Sequence, residues 1–344
     1  MSRRSHRAEL RVSRLRSDPW CIVVADSHGP EWAPAVGATR RPMAVQYCRL
    51  GEPITLLQKA VHRAMRVAPA SHVMVTAIDE YRKQWQPALS CVRPEHRFVG
   101  DSRSSSSLTV AAALLSIAEE SASHVVTIIP ATCFVVNERV LTAALYHARE
   151  TLPLTPQGVM TLGMVDIFDG IDEDYLVPTK ARDGLHWVVR AIARRPVPWV
   201  ARHLRENGAM IASGILVGYA GVFATDIEKQ CPGLPLKLTQ AIARSDAEGV
   251  ECRVTSELQR DVPQSILRSL RWCAPAFPQR VLRVEYSGWS GLRSARAVAR
   301  FSAIACTTTI VRNSQESTSF RSCGDANAGQ NNEPKAVGRE TSEC

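Results

Sequence analysis

The sequence predicts an α/β fold, a mostly parallel mixed sheet with helices on both faces. Three observations carry this. Short apolar runs alternate with segments of helical periodicity through the first 150 residues, as repeated βαβ units require. One run, His124 to Pro130 (HVVTIIP), is almost continuously apolar, as in a strand buried on both faces. The chain of 344 residues, 45% hydrophobic and 22% charged, is long enough for one large core of ordinary composition.

Cys21 to Ala25 is a short apolar strand that opens directly into a turn containing Gly29 and Pro30. An irregular loop follows, ending in Arg40-Arg41-Pro42. A strand leading into a Gly-containing loop near the start of an α/β chain is a common place for a nucleotide. Thr55 to Met65 (TLLQKAVHRAM) spaces its apolar residues as an amphipathic helix. His72 to Ala77 reads as a strand and Asp79 to Gln86 as a short polar helix. Phe98 to Gly100 is a third strand, running into the serine-rich segment Ser102 to Ser107. Leu108 to Glu120 and Asn137 to Thr151 are helical.

In the second half, Val159 to Val165 and His186 to Ala193 read as strands on either side of an acidic segment, Asp166 to Asp174. Val197 to Asn207 is a helix closed by Gly208. Met210 to Phe223 reads as strand, turn and helix start, and Val281 to Tyr286 as a late strand. The organisation expected is a disordered Arg-rich leader (1–18), a folded body (19–305) and a disordered polar tail (306–344).

The net charge is +9, but residues 1–16 hold six arginines against Glu9 alone, so more than half of the excess sits on the leader. A solvated arm is favoured over a nucleic-acid contact. No run approaches the roughly 18 apolar residues of a membrane span. The ten cysteines are scattered without a C-x-x-C pair, which argues against a zinc or redox motif and for a reducing cytoplasm. The oligomeric state is left open.

Several short motifs stand in a fixed order. Ala25-Asp26-Ser27-His28-Gly29-Pro30-Glu31 is followed by Arg41-Pro42-Met43-Ala44-Val45-Gln46-Tyr47 and Thr55-Leu56-Leu57-Gln58. Further on come Ile129-Pro130-Ala131-Thr132-Cys133-Phe134, Arg194-Arg195-Pro196, Ala212-Ser213-Gly214-Ile215 and Ser287-Gly288-Trp289-Ser290-Gly291. This order resembles the sugar-nucleotide pyrophosphorylases, a nucleotidyltransferase family, and most closely its mannose-1-phosphate guanylyltransferase branch, over about residues 20–305. The resemblance implies a Rossmann-like sheet of the nucleotide-diphospho-sugar transferase type. It also implies attack of a sugar 1-phosphate on a nucleoside triphosphate, with release of pyrophosphate.

That chemistry needs phosphates cradled by backbone N–H groups and charge neutralised by cations and a divalent metal. The family positions are degenerate here. Asp26 and Ser27 stand for two loop glycines, Glu31 for the phosphate-clamping arginine and Val45 for the lysine. Thr132 and Gly291 stand for the two metal-binding aspartates, so no catalytic or metal residue is retained. By the same resemblance, Gly29, Gln46, Arg103 and Pro130 are the nucleotide-binding candidates. Arg195, Ser213 and Gly214 are the sugar-side candidates.

The expectation is a catalytically silent relative that at most binds a nucleotide or sugar nucleotide, with no cofactor. The alternative is an active enzyme making GDP-mannose from GTP and mannose 1-phosphate with Mg²⁺ and displaced residues. The run Asp166, Asp169, Asp172, Glu173, Asp174 is the candidate substitute metal site, although a solvated loop explains it more simply. A second alternative is a polyanion-binding or partner-binding scaffold using the leader and Lys180 to Arg205. Cys133 reads as a packed thiol, His28 as a solvent-facing turn residue, and Trp187, Trp199 and Trp289 as core or rim aromatics.

Overall fold

The computed structural model describes residues 18–25, 31–32, 43–50, 52–101, 106–154, 157–165, 172–183, 186–248, 250–254, 279–292, 294 and 297–299. The first part of the chain forms β1 (Trp20–Val24), β2 (Glu31–Trp32), β3 (Met43–Ala44), α1 (Leu56–Met65), β4 (Val73–Ile78), α2 (Arg82–Trp85) and β5 (Arg97–Gly100). Next come α3 (Ser106–Glu120), β6 (Val125–Pro130), β7 (Cys133–Val135), α4 (Glu138–Thr151), β8 (Val159–Val165) and β9 (Tyr175–Asp183). They are followed by β10 (His186–Ala193), α5 (Pro198–Glu206), β11 (Met210–Tyr219), α6 (Ala220–Gln230), α7 (Leu234–Glu248), β12 (Cys252–Val254), β13 (Gln279–Glu285) and β14 (Trp289–Gly291).

Ten strands form one sheet in the order β12-β5-β4-β1-β6-β11-β8-β13-β10-β9. The five strands from β12 to β6 are mutually parallel. β11 runs against both β6 and β8, and β10 runs against β13 and β9. The sheet is therefore mixed but mostly parallel, as the alternation of strands and helices predicts.

Strand periodicity sorts the core into two layers. Cys21, Val23 and Ala25 pack on one face with Leu57, Ala60 and Ala64 of α1 and Leu141, Leu145 and Ala148 of α4. Trp20 and Ile22 point to the other, against Leu108 to Leu115 of α3, Phe223 of α6 and Leu238 of α7. This period of two is the geometric reason one strand can hold helices on both sides. Helix α1 starts where the sequence places it, because Thr55 and Gln58 form a reciprocal capping box. Gly208 stands at φ +82° just past α5, the left-handed conformation that closes a helix.

Some elements differ from expectation. The polar segment from Asp79 is a 3-10 turn followed by the single turn α2. Between β11 and α6 there is no intervening turn, since Tyr219 is at once the last strand residue and the helix cap. Helix α7 and strand β12 carry no strong sequence signal and owe their place to packing on α3 and β5. The expected tail and all of the leader but Asp18 lie outside the described residues.

Candidate functional site

The carboxyl ends of β1, β4 and β6 meet where the chain order reverses, since β4 leaves β1 on one side and β6 lies on the other. In open α/β sheets this crevice is where ligands bind. Its floor is fixed by backbone bonds: Ala25 N donates to Thr76 O at 3.0 Å and Ala131 N to Val24 O at 2.8 Å. The loop after β1 holds the candidate Gly29 and, with it, Asp26, Ser27, His28 and Pro30. These lie outside the described residues, as does Arg103. Glu31 is in β2, opposite Ala44 of β3.

Val45 and Gln46 stand on a single 3-10 turn after β3. Gln46 is fully buried and donates from Nε2 to the carbonyl of Ala25 at 3.1 Å, and the Tyr47 hydroxyl donates to the same oxygen at 3.0 Å. Both side chains thus tie the turn to the end of β1. Val45 points the other way, 0% exposed, into an apolar cluster with Cys48, Leu50, Leu56, Phe134, Leu292 and Val298.

Thr132 and Gly291, the two positions for which the resemblance implies metal-binding aspartates, are brought together. β14 pairs with β7, with Gly291 opposite Cys133, and Leu292 N donates to Thr132 O at 2.9 Å. Thr132 is half-buried. At Gly291 there is no room for a side chain: an ideal Cβ would run into Glu173 Oε1 and lie 2.8 Å from Trp289 Cη2. A carboxylate from the acidic segment therefore occupies the space that a side chain at 291 would need.

Asp174 ties the sugar-side candidate Arg195 to Ala212, which precedes the candidates Ser213 and Gly214. Its Oδ1 accepts from Arg195 N at 3.1 Å and its backbone carbonyl from Ala212 N at 2.8 Å. Arg195 is exposed at φ +39°, a conformation that disfavours a Cβ by about 1 kcal/mol, held in part by this bond. Ser213 is buried; its hydroxyl donates to Leu162 O at 2.6 Å and accepts from Ile215 N at 3.0 Å. Gly214 stands at φ +75° where the β11–β8 register shifts, a bulge that a side chain would strain. Glu173 and Asp174 are both 4% exposed. Their placement corrects the expectation of a solvated loop for this part of the acidic run, whose residues 166–171 lie outside the described set.

A charged group that the sequence reading missed lies behind β7. Arg63, 1% exposed, donates from Nε and Nη2 to both oxygens of Glu138 at 2.9 and 2.7 Å. Its Nη1 reaches Cys133 Sγ at 3.3 Å, and that thiol donates to Pro130 O at 3.1 Å. Burial works against the Arg63 charge, but Cys133 and Glu138 outweigh it and keep the guanidinium above its ordinary range. Burial pushes the Cys133 thiol up despite Arg63 beside it, so Cys133 is an inert packed thiol. The available signal was Arg63 itself, three residues from Ala60 and one before Ala64 on the buried face of α1.

Of the three tryptophans, Trp289 is core, Trp187 is half-buried and Trp199 is 74% exposed at the start of α5, beside exposed Arg195 and Arg202. Among the described residues no helix is long and apolar enough to cross a membrane.

No protein-family model matches the sequence, and neither does any curated protein sequence. Solved structures do. The chain is similar to mannose-1-phosphate geranyltransferase from Thermus thermophilus, at TM-score 0.62 and 15% identity, over 83% of this chain and 79% of that one. It is also similar to mannose-6-phosphate isomerase from Helicobacter pylori, at TM-score 0.56 and 14% identity, over 80% and 100%. A third is CMP:2-keto-3-deoxy-manno-octonic acid synthetase complexed with CTP, at TM-score 0.50 and 15% identity, over 85% and 100%. At such identities the likeness is one of architecture, and the chain has the fold of the nucleotide-diphospho-sugar transferases.

Proposed function

We propose that this protein is a nucleotidyltransferase-like relative of mannose-1-phosphate guanylyltransferase that has lost catalysis and at most binds a nucleotide or sugar nucleotide in the crevice above β1. The burial of Val45 carries this reading. A lysine at that point would contribute about 4 kcal/mol of attraction to a phosphate at ~4 Å and an effective dielectric of ~20. Val45 supplies none of it and is packed into an apolar cluster. Thr132 and Gly291 do not suit Mg²⁺, which is bound through carboxylate, phosphate and water oxygens. The similarity to a synthetase complexed with CTP supports retention of nucleotide binding.

A thermal-shift screen across nucleotides and sugar nucleotides, paired with a pyrophosphate-release assay on GTP, mannose 1-phosphate and Mg²⁺, tests the proposal. The expected result is a shift with at least one such ligand and no release. Release that is lost on changing Arg103 or Arg195 would overturn it.

One observation favours the active alternative. Glu173 puts a carboxylate oxygen against Gly291, beside the position where the family's metal ligand would stand. Under that reading Glu173→Gln abolishes release. Trp199, exposed among arginines, favours the polyanion reading; salt-dependent RNA binding lost in Trp199→Ala would support it.

A further inference from the structure

The end of the sheet opposite the crevice carries a group that the proposed function does not use. Trp20, the first residue of β1, is 2% exposed and is surrounded by three histidines. His72 stacks on its ring with centroids 4.4 Å apart and planes at 19°. His96 and His124 meet it edge-on at 5.4 and 6.3 Å.

The three histidines sit at equivalent places in the fold. Each closes a tight turn by donating its backbone N–H three residues back, to Pro69, Arg93 and Ser121 at 2.8, 3.1 and 3.1 Å. His72 and His124 directly precede β4 and β6, the neighbours of β1, and His96 precedes β5. Parallel strands bring these turns to one end of the sheet, around one indole.

Four nitrogens of this group lack partners. Trp20 Nε1 and the Nδ1 atoms of His72, His96 and His124 are all buried without a hydrogen bond among the described residues. Among the described residues no three His, Cys, Asp or Glu side chains are arranged to hold a metal ion. The proton is the remaining ligand for imidazoles so placed.

We propose that Trp20, His72, His96 and His124 form a proton-responsive clamp on the amino-terminal end of β1, closed while the imidazoles are neutral and loosened when they are protonated. A cation in this half-buried group loses part of its hydration, and a second histidine charge repels it. Other charged groups face the cluster from each packed element: Asp18 ahead of β1, Arg93 and Glu95 in the turn before β5, and Glu120 at the end of α3. Glu120 Oε2 is 3.8 Å from His124 Nε2. Asp18, Glu95, Glu120 and a backbone bond between His96 and Val73 favour protonation. Burial outweighs them and holds His96 and His124 below the ordinary value of 6.5.

The unfolded chain therefore takes up these protons first as the pH falls. The clamp's contribution is complete above about pH 6.5 and is lost between that value and the depressed folded values. Each unit of depression weights the folded population by about tenfold.

Urea unfolding of the full chain at constant ionic strength from pH 8 to pH 5 tests the proposal. The unfolding constant should rise at least tenfold between pH 7.5 and 5.5, and this step should shrink in a His72→Asn, His96→Asn, His124→Asn variant. An equal step in both proteins overturns the clamp. Should the triple variant not fold, NMR of the unaltered protein decides. The imidazoles of His96 and His124 should titrate below 6.5, and the Trp20 indole N–H signal, assigned through Trp20→Phe, should move with the same midpoint. Titration at or above 6.5, or an indole signal indifferent to it, overturns the proposal.

Discussion

Gly291 and Glu173 should be energetically coupled, and the coupling can be worked from the packing. An alanine at 291 places its Cβ against Glu173 Oε1, with Glu173 Cδ at 2.9 Å and Trp289 Cη2 at 2.8 Å. Trp289 and Glu173 are 1% and 4% exposed, so neither retreats into solvent. Overpacking of this kind costs about 1–3 kcal/mol. Displacing a buried carboxylate from its surroundings adds about 1–3 kcal/mol. The backbone at 291 is not in the left-handed region, so the alanine gains back about 0.4–1 kcal/mol through the unfolded chain. The expected loss for Gly291→Ala is therefore about 1–6 kcal/mol, read as a lowered urea midpoint at unchanged slope.

In Glu173→Ala the obstacle is gone, and Gly291→Ala should then cost less by about 1 kcal/mol or more. Gly291→Asp carries the same logic to function. It sets two carboxylates within about 4 Å, where like charges repel by about 4 kcal/mol at an effective dielectric of about 20. A family-like aspartate is therefore accommodated only in the Gly291→Asp, Glu173→Ala double variant. A Gly291→Ala protein within about 0.5 kcal/mol of the unaltered one, or strict additivity of the pair, would refute this account.

Glu138→Gln leaves the buried Arg63 charge without its ionic partner and should cost about 3–5 kcal/mol, whereas Arg63→Met with Glu138→Leu should recover most of it; denaturant melts check both. Val45→Lys inserts an ammonium into an apolar cluster and should destabilise by several kcal/mol, or leave the turn locally unfolded by hydrogen exchange. Thiol labelling at pH 8 with peptide mapping should find Cys91 modified quickly. Cys21, Cys48 and Cys133 should stay protected until unfolding, since all three are buried and burial lifts their thiols, Cys48 to about 11.

Four strands of the parallel half, β1, β4, β5 and β6, were legible because each is a compact apolar run between turn residues, and α1 announces itself through Thr55 and Gln58. The boundaries of these four strands moved by a residue. The sequence also placed Thr132 and Gly291 in one family pattern across nearly 160 positions, and the β7–β14 pairing brings them side by side. What it could not show is direction. Val45 and Gln46 are adjacent, yet one side chain enters an apolar cluster and the other bonds to the end of β1. Glu173 and Asp174 read as solvated because charge runs usually are, and their burial depends on contacts with Gly291, Ala212 and Arg195 that lie far apart in the chain. The histidine clamp was invisible for the same reason, since its members are spread over three separate turns.

Positions 45, 132 and 291 are linked through one wall of the protein. Val45 packs with Phe134 of β7, two residues after Thr132, and with Leu292, which directly follows Gly291 of β14. A cation at 45 would lie against Leu292, and a carboxylate at 291 would meet Glu173. Neither polar group fits alone, because Phe134 and Leu292 pack against position 45 and Glu173 fills the space at 291. Under the proposed reading, apolar packing at 45 and Glu173 at 291 occupy the two positions together. Single substitutions to family-like residues should therefore lower stability without giving pyrophosphate release, and only substitutions that clear the Val45 cluster and Glu173 together give such release a structural opening.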